Sequence, residues 1–233
     1  MHTVIFPSWS CQLSCHYCSI RNSKIDRSVK GVPWTQWAEV LPTVLPHGSI
    51  VDIAGGEPLI YEGIVDLLHS IGNAGLLWAI TTNGKALDVV ERICKEKPIG
   101  GVCFNLSDHK GNPESVTSKN KLRNAGYNVN IHRVDHPHAG YNHSDASLIP
   151  YQDWLVNDAV DGIERRCTAG QAHWIADPSG DLWRCIVAAE TGQPSFGNLF
   201  TGERKYISTE CTFGCSSCYI GDSASWAISM EIM

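Results

Sequence analysis

Apolar residues recur along the first part of the chain in two alternating rhythms: short β-like runs, and longer stretches with apolar positions three or four apart. His2-Thr3-Val4-Ile5-Phe6 predicts a short first strand, and the polar stretch 19–33, with Gly31 and Pro33, predicts a connecting loop. From Thr35, the positions of Trp37, Val40, Leu41 and Val44 keep a helical spacing, with Pro42 expected to interrupt it. Ile50-Val51-Asp52-Ile53-Ala54 has a buried-strand pattern that runs into Gly55-Gly56-Glu57-Pro58. Ile64, Val65, Leu67, Leu68 and Ile71 mark a helix across 61–72. Leu76–Thr82 predicts a third strand closed by Asn83-Gly84, and Leu87–Lys97 a helix stopped by Pro98. Gly101–Leu106, Pro113–Ala125 and Tyr127–Val134 continue the series as strand, helix and strand.

Strands that alternate with helices in this way imply an α/β fold with a parallel sheet. Between Val134 and Cys167 the chain holds a loop rich in His and Asn and a helix near 151–160, which leaves little room for another strand–helix unit. The expected architecture is therefore an abbreviated partial (β/α) barrel of five or six parallel strands, not a closed eight-fold barrel. Sites in such sheets lie at the C-terminal ends of the strands. The loop after the first strand, the Gly-Gly-Glu-Pro stretch and Thr-Thr-Asn-Gly all fall on that edge. Further on, Ala172–Ala176, the turn Asp177-Pro178-Ser179-Gly180 and Asp181–Val187 predict a β-hairpin.

Composition narrows the class. The chain has 233 residues, 43% hydrophobic and 18% charged, which is ordinary globular composition and argues against disorder. A net charge of −6 argues against a nucleic-acid surface as the main business. No apolar run approaches a membrane span, and the first residues lack the pattern of a signal peptide, so a cytoplasmic protein with no membrane partner is expected. Thiols stay reduced there, yet the sequence has ten cysteines. They fall mostly in two groups near the ends of the chain, a distribution that points to metal ligation rather than to a disulfide scaffold.

The first group, Cys11-Gln-Leu-Ser-Cys15-His-Tyr-Cys18, is a C-x3-C-x2-C triplet on a single loop. It matches neither ferredoxin spacing, and three thiolates hold three irons of a cubane and leave the fourth without a protein ligand. A zinc knuckle is the rival reading, with His16 as the fourth ligand. The triplet, with Tyr17 before its last cysteine and a predicted strand before it, resembles the signature of radical S-adenosylmethionine (SAM) enzymes. The resemblance implies a [4Fe–4S] cluster on Cys11, Cys15 and Cys18, with SAM chelating the open iron. Reductive cleavage of SAM to methionine and a 5′-deoxyadenosyl radical, which abstracts a substrate hydrogen atom, is then the expected chemistry.

Gly55-Gly56-Glu57-Pro58 resembles the family's second motif, which contacts the SAM amino group. Glycines let a backbone approach a ligand closely, so that its carbonyls and the Glu57 carboxylate can meet an ammonium group. Further cofactor-binding candidates are Ser107 and Asp108 after the fourth strand, Asn83 after the third, and His132 or Arg133 on the fifth, according to which of the two faces inward. The resemblance also gives Tyr17 a place beside the adenine.

The second group flanks the predicted hairpin. Cys167 and Gly180-Asp-Leu-Trp-Arg-Cys185 form C-x12-G-x4-C, and Cys211-x3-Cys215-x2-Cys218 follows. This resembles the SPASM or twitch extension of certain radical SAM enzymes, which carries auxiliary [4Fe–4S] clusters. The chain lacks the C-x2-C-x5-C-x3-C run of a full SPASM domain, so the shorter one-cluster twitch is the better match. The resemblance implies Cys167, Cys185, Cys215 and Cys218 as ligands, with Cys211 as an alternative one. It divides the chain into a radical SAM core over 1–160 and a twitch-like domain over 161–233. A zinc ribbon on the same four cysteines is the alternative.

Among the remaining candidates, Cys94 reads as core filling on a helix. Cys103 reads as a buried thiol or, with Cys211, as a hydrogen-atom donor. His132, His136, His138 and His143 read as a solvated loop rather than a metal site. The expected activity is oxidation of a substrate radical through the auxiliary cluster, as dehydrogenation or bond formation on a small molecule. Alternatives are a radical epimerase or a peptide-modifying maturase quenched by Cys103 or Cys211 and, from another class, an iron–sulfur carrier or a zinc-binding interaction module. The expected partners are a small-molecule or short peptide substrate and a reductase such as flavodoxin or ferredoxin, with no nucleic acid.

Overall fold

The computed structural model of the chain describes residues 1–15, 18–29, 31–109, 112–134 and 173–205. In chain order these form β1 (His2–Ile5), α1 (Ser19–Asn22), α2 (Trp34–Val44), β2 (Ile50–Ile53), α3 (Ile64–Asn73), β3 (Leu77–Thr82) and α4 (Leu87–Glu96). They continue as β4 (Gly101–His109), α5 (Pro113–Asn124), β5 (Val129–Val134), β6 (His173–Ala176), β7 (Leu182–Trp183) and α6 (Ile186–Glu190). The strands make one open sheet in the order β5-β4-β3-β2-β1-β6-β7. Every neighbouring pair is parallel except the antiparallel β6–β7 hairpin. Six parallel strands and no closure agree with the expected partial barrel.

The two faces of the sheet differ sharply. The face toward the helices carries Val51, Ile53, Trp78, Ile80, Phe104 and Leu106, packed on Trp37 and Leu41 of α2, Leu67 and Leu68 of α3, and Val90 and Ile93 of α4. Each such side chain, fully buried, contributes about 1.5–3 kcal/mol. Trp78 and Tyr127 both contact Phe104, with ring centroids 5.6 and 5.2 Å apart, which ties β3 and β4 to the start of β5. The opposite, concave face alternates with it. At the β1–β6 end a smaller apolar cluster of Val4, Phe6, Trp9, Ile20 and Ile175 fills it. Across β2, β3 and β4 the inward positions are instead short or polar: Asp52, Ala54, Ala79, Thr81, Cys103, Asn105 and Ser107.

Three local departures from the sequence reading have physical causes. Pro42 does not end α2, which continues to Val44. Pro42 itself is exposed, while Trp37 and Leu41 are fully buried, so packing of the inner stripe carries the helix past the missing donor. β4 does not stop at Leu106: Ser107, Asp108 and His109 pair with His132, Arg133 and Val134 of β5. The second hairpin strand is only Leu182–Trp183, because the chain then turns into α6, whose Ile186 and Ala189 join the concave apolar cluster. The hairpin also extends the main sheet, since β6 pairs with β1 along its whole length. The predicted helix near 151–160 lies outside the described residues. Among the described residues no helix is long and apolar enough to cross a membrane.

Candidate functional site

β1 feeds the cysteine loop, and the loop is fastened to the C-terminal end of β2. The Gly56 amide donates to the Ser8 carbonyl at 3.0 Å and the Glu57 amide to the Ser10 carbonyl at 2.7 Å. The backbones approach so closely that side chains have no room. A Cβ at Gly56 would run into the carbonyl oxygens of Trp9 and Ser10. One at Gly55, where φ is +127°, would lie 2.6 Å from the Ser8 oxygen in a conformation that L residues rarely adopt. The close approach expected here toward a ligand is thus also an approach to the loop that carries Cys11.

Glu57 is the hub beneath. Its carboxylate, 1% exposed as a residue, accepts from the Leu59 amide (3.0 Å) and the Thr82 hydroxyl (2.6 Å) on Oε1, and from the Asn83 amide (2.7 Å) on Oε2. Burial raises its pKa, and the bonds from Thr82, Asn83 and Leu59 pull the other way. The bond to Leu59 caps the 3₁₀ turn Pro58–Ile60, in which Pro58 takes the first position. In this structure the carboxylate joins the ends of β2 and β3.

Asn83 carries the connection on to the cysteines. It is 5% exposed, its carbonyl accepts from the Asn112 amide group at 2.8 Å, and its Nδ2 stands 3.8 Å from Cys11 Sγ. Cys11 Sγ also accepts from the Leu13 amide at 3.4 Å. The Cys11 thiol pKa is pushed up by burial, against the pull of the Leu13 amide, with smaller upward contributions from Glu57, Cys15 and Cys18. The three thiols of the loop therefore lie within one another's fields, and all three are half-buried. From β4, His109 Nδ1 reaches to 3.8 Å from Cys15 Sγ, and burial lowers the His109 pKa against the opposite pull of the Asp108 carboxylate.

Among the described residues, no three His, Cys, Asp or Glu side chains converge as they would on a single metal ion. A [4Fe–4S] cluster asks for something different: separate thiolates, each binding its own iron. Three neighbouring thiols on one loop, with amide and imidazole groups beside their sulfurs, suit that donor pattern.

The remaining candidates divide by face. Ser107 lies on the concave row of β4, in register with His132. Asp108 turns to the helix side, where its carboxylate accepts from the Ser115 hydroxyl at 2.7 Å, and Arg133 occupies the same register row as Asp108. Cys103 lies on the concave face, in register with Ala79, and its Sγ stands 3.9 Å from Asn105 Oδ1. Burial raises the Cys103 thiol pKa, and the charge of Asp52 raises it further. Cys185 is half-buried just before α6. Cys94 of α4 packs against the core. Tyr17, Cys167, Cys211, Cys215 and Cys218, together with His16, His136, His138 and His143, lie outside the described residues.

Two residues went unread in the sequence. His109 falls beyond the predicted end of β4, although simple alternation from Cys103 through Asn105 and Ser107 places it on the inner face. Asp52 was absorbed into an apolar run, where a carboxylate between Val51 and Ile53 was itself the signal.

Comparison with family profiles gives no match, and neither does comparison with curated protein sequences. Solved structures do match. Streptococcus suis SuiB bound to the precursor peptide SuiA aligns with a TM-score of 0.66 and 18% identity over 87% of this chain and 63% of that one. This chain thus spans a little under two thirds of SuiB. BtrN in complex with AdoMet and 2-DOIA aligns at 0.61 and 17% over 87% and 79% of the two chains. The anSMEcpe structure with bound AdoMet aligns at 0.58 and 11% over 86% and 75%. These three are radical SAM enzymes, and the open, mostly parallel partial barrel of this chain is the fold they share.

Proposed function

We propose that the chain is a radical SAM enzyme. The observation that carries this is the position of the C-x3-C-x2-C loop at the C-terminal edge of a partial barrel, fastened by Gly55, Gly56 and Glu57. A [4Fe–4S] cluster held by Cys11, Cys15 and Cys18 would bind SAM and, when reduced, supply the electron that cleaves it to methionine and a 5′-deoxyadenosyl radical. The chain's own residues prepare that chemistry. Glu57 fixes β2 against β3, so that the Cys11 segment and Asn83 keep a constant relation. Asn83 Nδ2 and the ring of His109 stand by the sulfurs of Cys11 and Cys15, where hydrogen bonds tune a cluster's potential. The concave face beside the loop is lined by short side chains across β2, β3 and β4 and by an apolar cluster at the β1–β6 end, a surface on which a substrate would lie.

The proposal extends to an auxiliary [4Fe–4S] cluster on Cys167, Cys185, Cys215 and Cys218, with Cys211 as an alternative ligand, in a twitch-like region over 161–233 beyond a core over 1–160. Oxidation of a small molecule or short peptide segment is the favoured outcome, with electrons from a flavodoxin- or ferredoxin-type reductase. The likeness to SuiB, whose structure holds a precursor peptide, favours keeping a peptide substrate as the second reading. Epimerisation quenched by Cys103 draws on the placement of that thiol on the concave face.

Anaerobic reconstitution with iron and sulfide tests the assignment. Two clusters predict about eight irons per chain, with 5′-deoxyadenosine released on reduction in the presence of SAM. Replacing Cys11, Cys15 and Cys18 together by alanine should halve the iron and abolish 5′-deoxyadenosine. A fully loaded protein that leaves SAM intact refutes the proposal, and four irons accompanied by zinc refute the auxiliary cluster.

A further inference from the structure

Among the described residues, the concave face carries a charged group that the chemistry above does not use. Asp52 sits in the middle of β2, in register with Val4 on one side and Ala79 on the other, with Cys103 the next position beyond Ala79. Its Oδ1 is sealed from solvent, and among the described residues it has no hydrogen-bond partner and no ion pair reaches the carboxylate. The residue nevertheless keeps a partly open surface, as do its neighbours Ala54, Thr81, Cys103 and Asn105. It therefore faces the interior of the partial barrel and not the helix layer.

Such an arrangement is costly unless something answers it. A buried carboxylate without a partner is among the most unfavourable features a fold can hold, and it is normally paired, hydrogen-bonded or neutralised. Glu57, the neighbouring buried carboxylate, accepts three hydrogen bonds; Asp52 accepts none among the described residues. Burial pushes its pKa up to about 6, so it is readily ionised when a cation approaches. The neighbours of Asp52 along the strand and across to β3 on this face are small, Ala54 and Ala79. On the β3 side no large side chain stands over the carboxylate, and the Cys103 thiol lies within reach of its charge.

We propose that Asp52 anchors a cationic nitrogen of the substrate, an alkylammonium or a comparable amine, on the concave face beside Cys103. This rests on the radical SAM reading for the identity of the ligand as a substrate, and it names the substrate class: molecules or peptide segments that carry a basic nitrogen. The carboxylate gives one fixed, charge-assisted contact on the concave face, which orients the bound molecule relative to the cysteine loop. A neutral substrate of the same shape would leave the carboxylate unanswered.

The test uses the reconstituted protein with SAM and two probes of similar length, n-butylammonium and the neutral 1-pentanol, with binding read by calorimetry. The expected result is a preference for the ammonium of about tenfold or more, lost in Asp52→Asn, with the weak affinity for 1-pentanol the same in both proteins. Equal binding of the two probes to the unsubstituted protein overturns the proposal, and so does an ammonium preference that survives in Asp52→Asn. The comparison of probes on the unsubstituted protein does not depend on how the variant folds. Failure of that protein to form 5′-deoxyadenosine on reduction would count against the radical SAM reading alone, because the probe preference is measured without turnover.

Discussion

The hub at Glu57 gives a sharp prediction about stability. Oε1 accepts from the Leu59 amide and the Thr82 hydroxyl, and Oε2 from the Asn83 amide, all within a residue that is 1% exposed. In Glu57→Gln the amide oxygen can take the place of Oε1 and keep two of these bonds. The NH₂ then faces the Asn83 N–H, donor against donor. One lost bond to a buried donor costs about 1–3 kcal/mol. In Glu57→Ala all three donors lose their acceptor and a cavity is left, so the loss should reach about 3–6 kcal/mol. Urea unfolding followed by fluorescence of the eight tryptophans reads both changes. With a slope of roughly 2 kcal/mol/M, the Gln variant should lower the midpoint by about 0.5–1.5 M. Thr82→Val serves as a calibration, because it removes one of the three bonds and leaves the carboxylate in place. A Glu57→Gln protein with an unchanged midpoint, or an Ala variant no worse than the Gln one, would show that the carboxylate is not the tie between β2 and β3.

Asp52 should make stability fall with pH. Its carboxyl titrates at 3.8 in the unfolded chain and at about 6 in the fold, where Val4 and Ala79 flank it and the Cys103 thiol is the titratable neighbour. Between those values the folded chain keeps a proton that the unfolded chain has released. The contribution is therefore fully favourable below pH 3.8 and is lost as pH rises through 6, a change of about 3 kcal/mol. Asp52→Asn should flatten that part of the profile in urea midpoints taken across pH 4 to 7.5, and an unaltered slope would refute the assignment. Gly56→Ala should displace the cysteine loop from β2, seen as several-fold lower iron after reconstitution; normal loading would show that the loop has other room. His109→Phe should move the potential of the loop-bound cluster to more negative values by removing a hydrogen bond at Cys15, as measured by EPR-monitored titration, and an unmoved potential would remove His109 from the cluster's surroundings.

The helix side of the sheet was legible in the sequence because one physical rule writes it. Ile53, Trp78, Ile80 and Phe104 must be apolar to bury against α2, α3 and α4, so the runs that contain them stand out whatever lies on the other face. The first cysteine loop was legible for a different reason, since its spacing is a chemical requirement. What escaped reading was the concave side near the edge. Ser107, Asp108 and His109 look like a turn because no apolar residue continues the run, yet they are strand residues held by β5. Their hydrogen bonds come from pairing with a distant segment, and local composition carries no trace of it. The addition of β6 to the free side of β1 was invisible for the same reason: Thr3, the partner of Trp174, donates its hydroxyl to the Trp174 carbonyl across 171 positions of sequence.

β2 concentrates the argument about function. Six residues of β2 and the turn after it hold two carboxylates with opposite fates, Asp52 and Glu57. Burial raises the pKa of both, but among the described residues only Glu57 has donors arranged around it. A carboxylate with three donors from two elements has a purpose wholly inside the protein, namely to fix the place where the cysteine loop meets the sheet. One with no donor among the described residues, turned toward the hollow of the barrel, has no such purpose there: an asparagine or a threonine would spare the fold the cost of desolvating a charge. If stability alone decided the residue at position 52, the asparagine variant would be the better protein above pH 6. Among the described residues none balances the carboxylate, which is the place that the proposed cationic nitrogen of the substrate fills from the concave face.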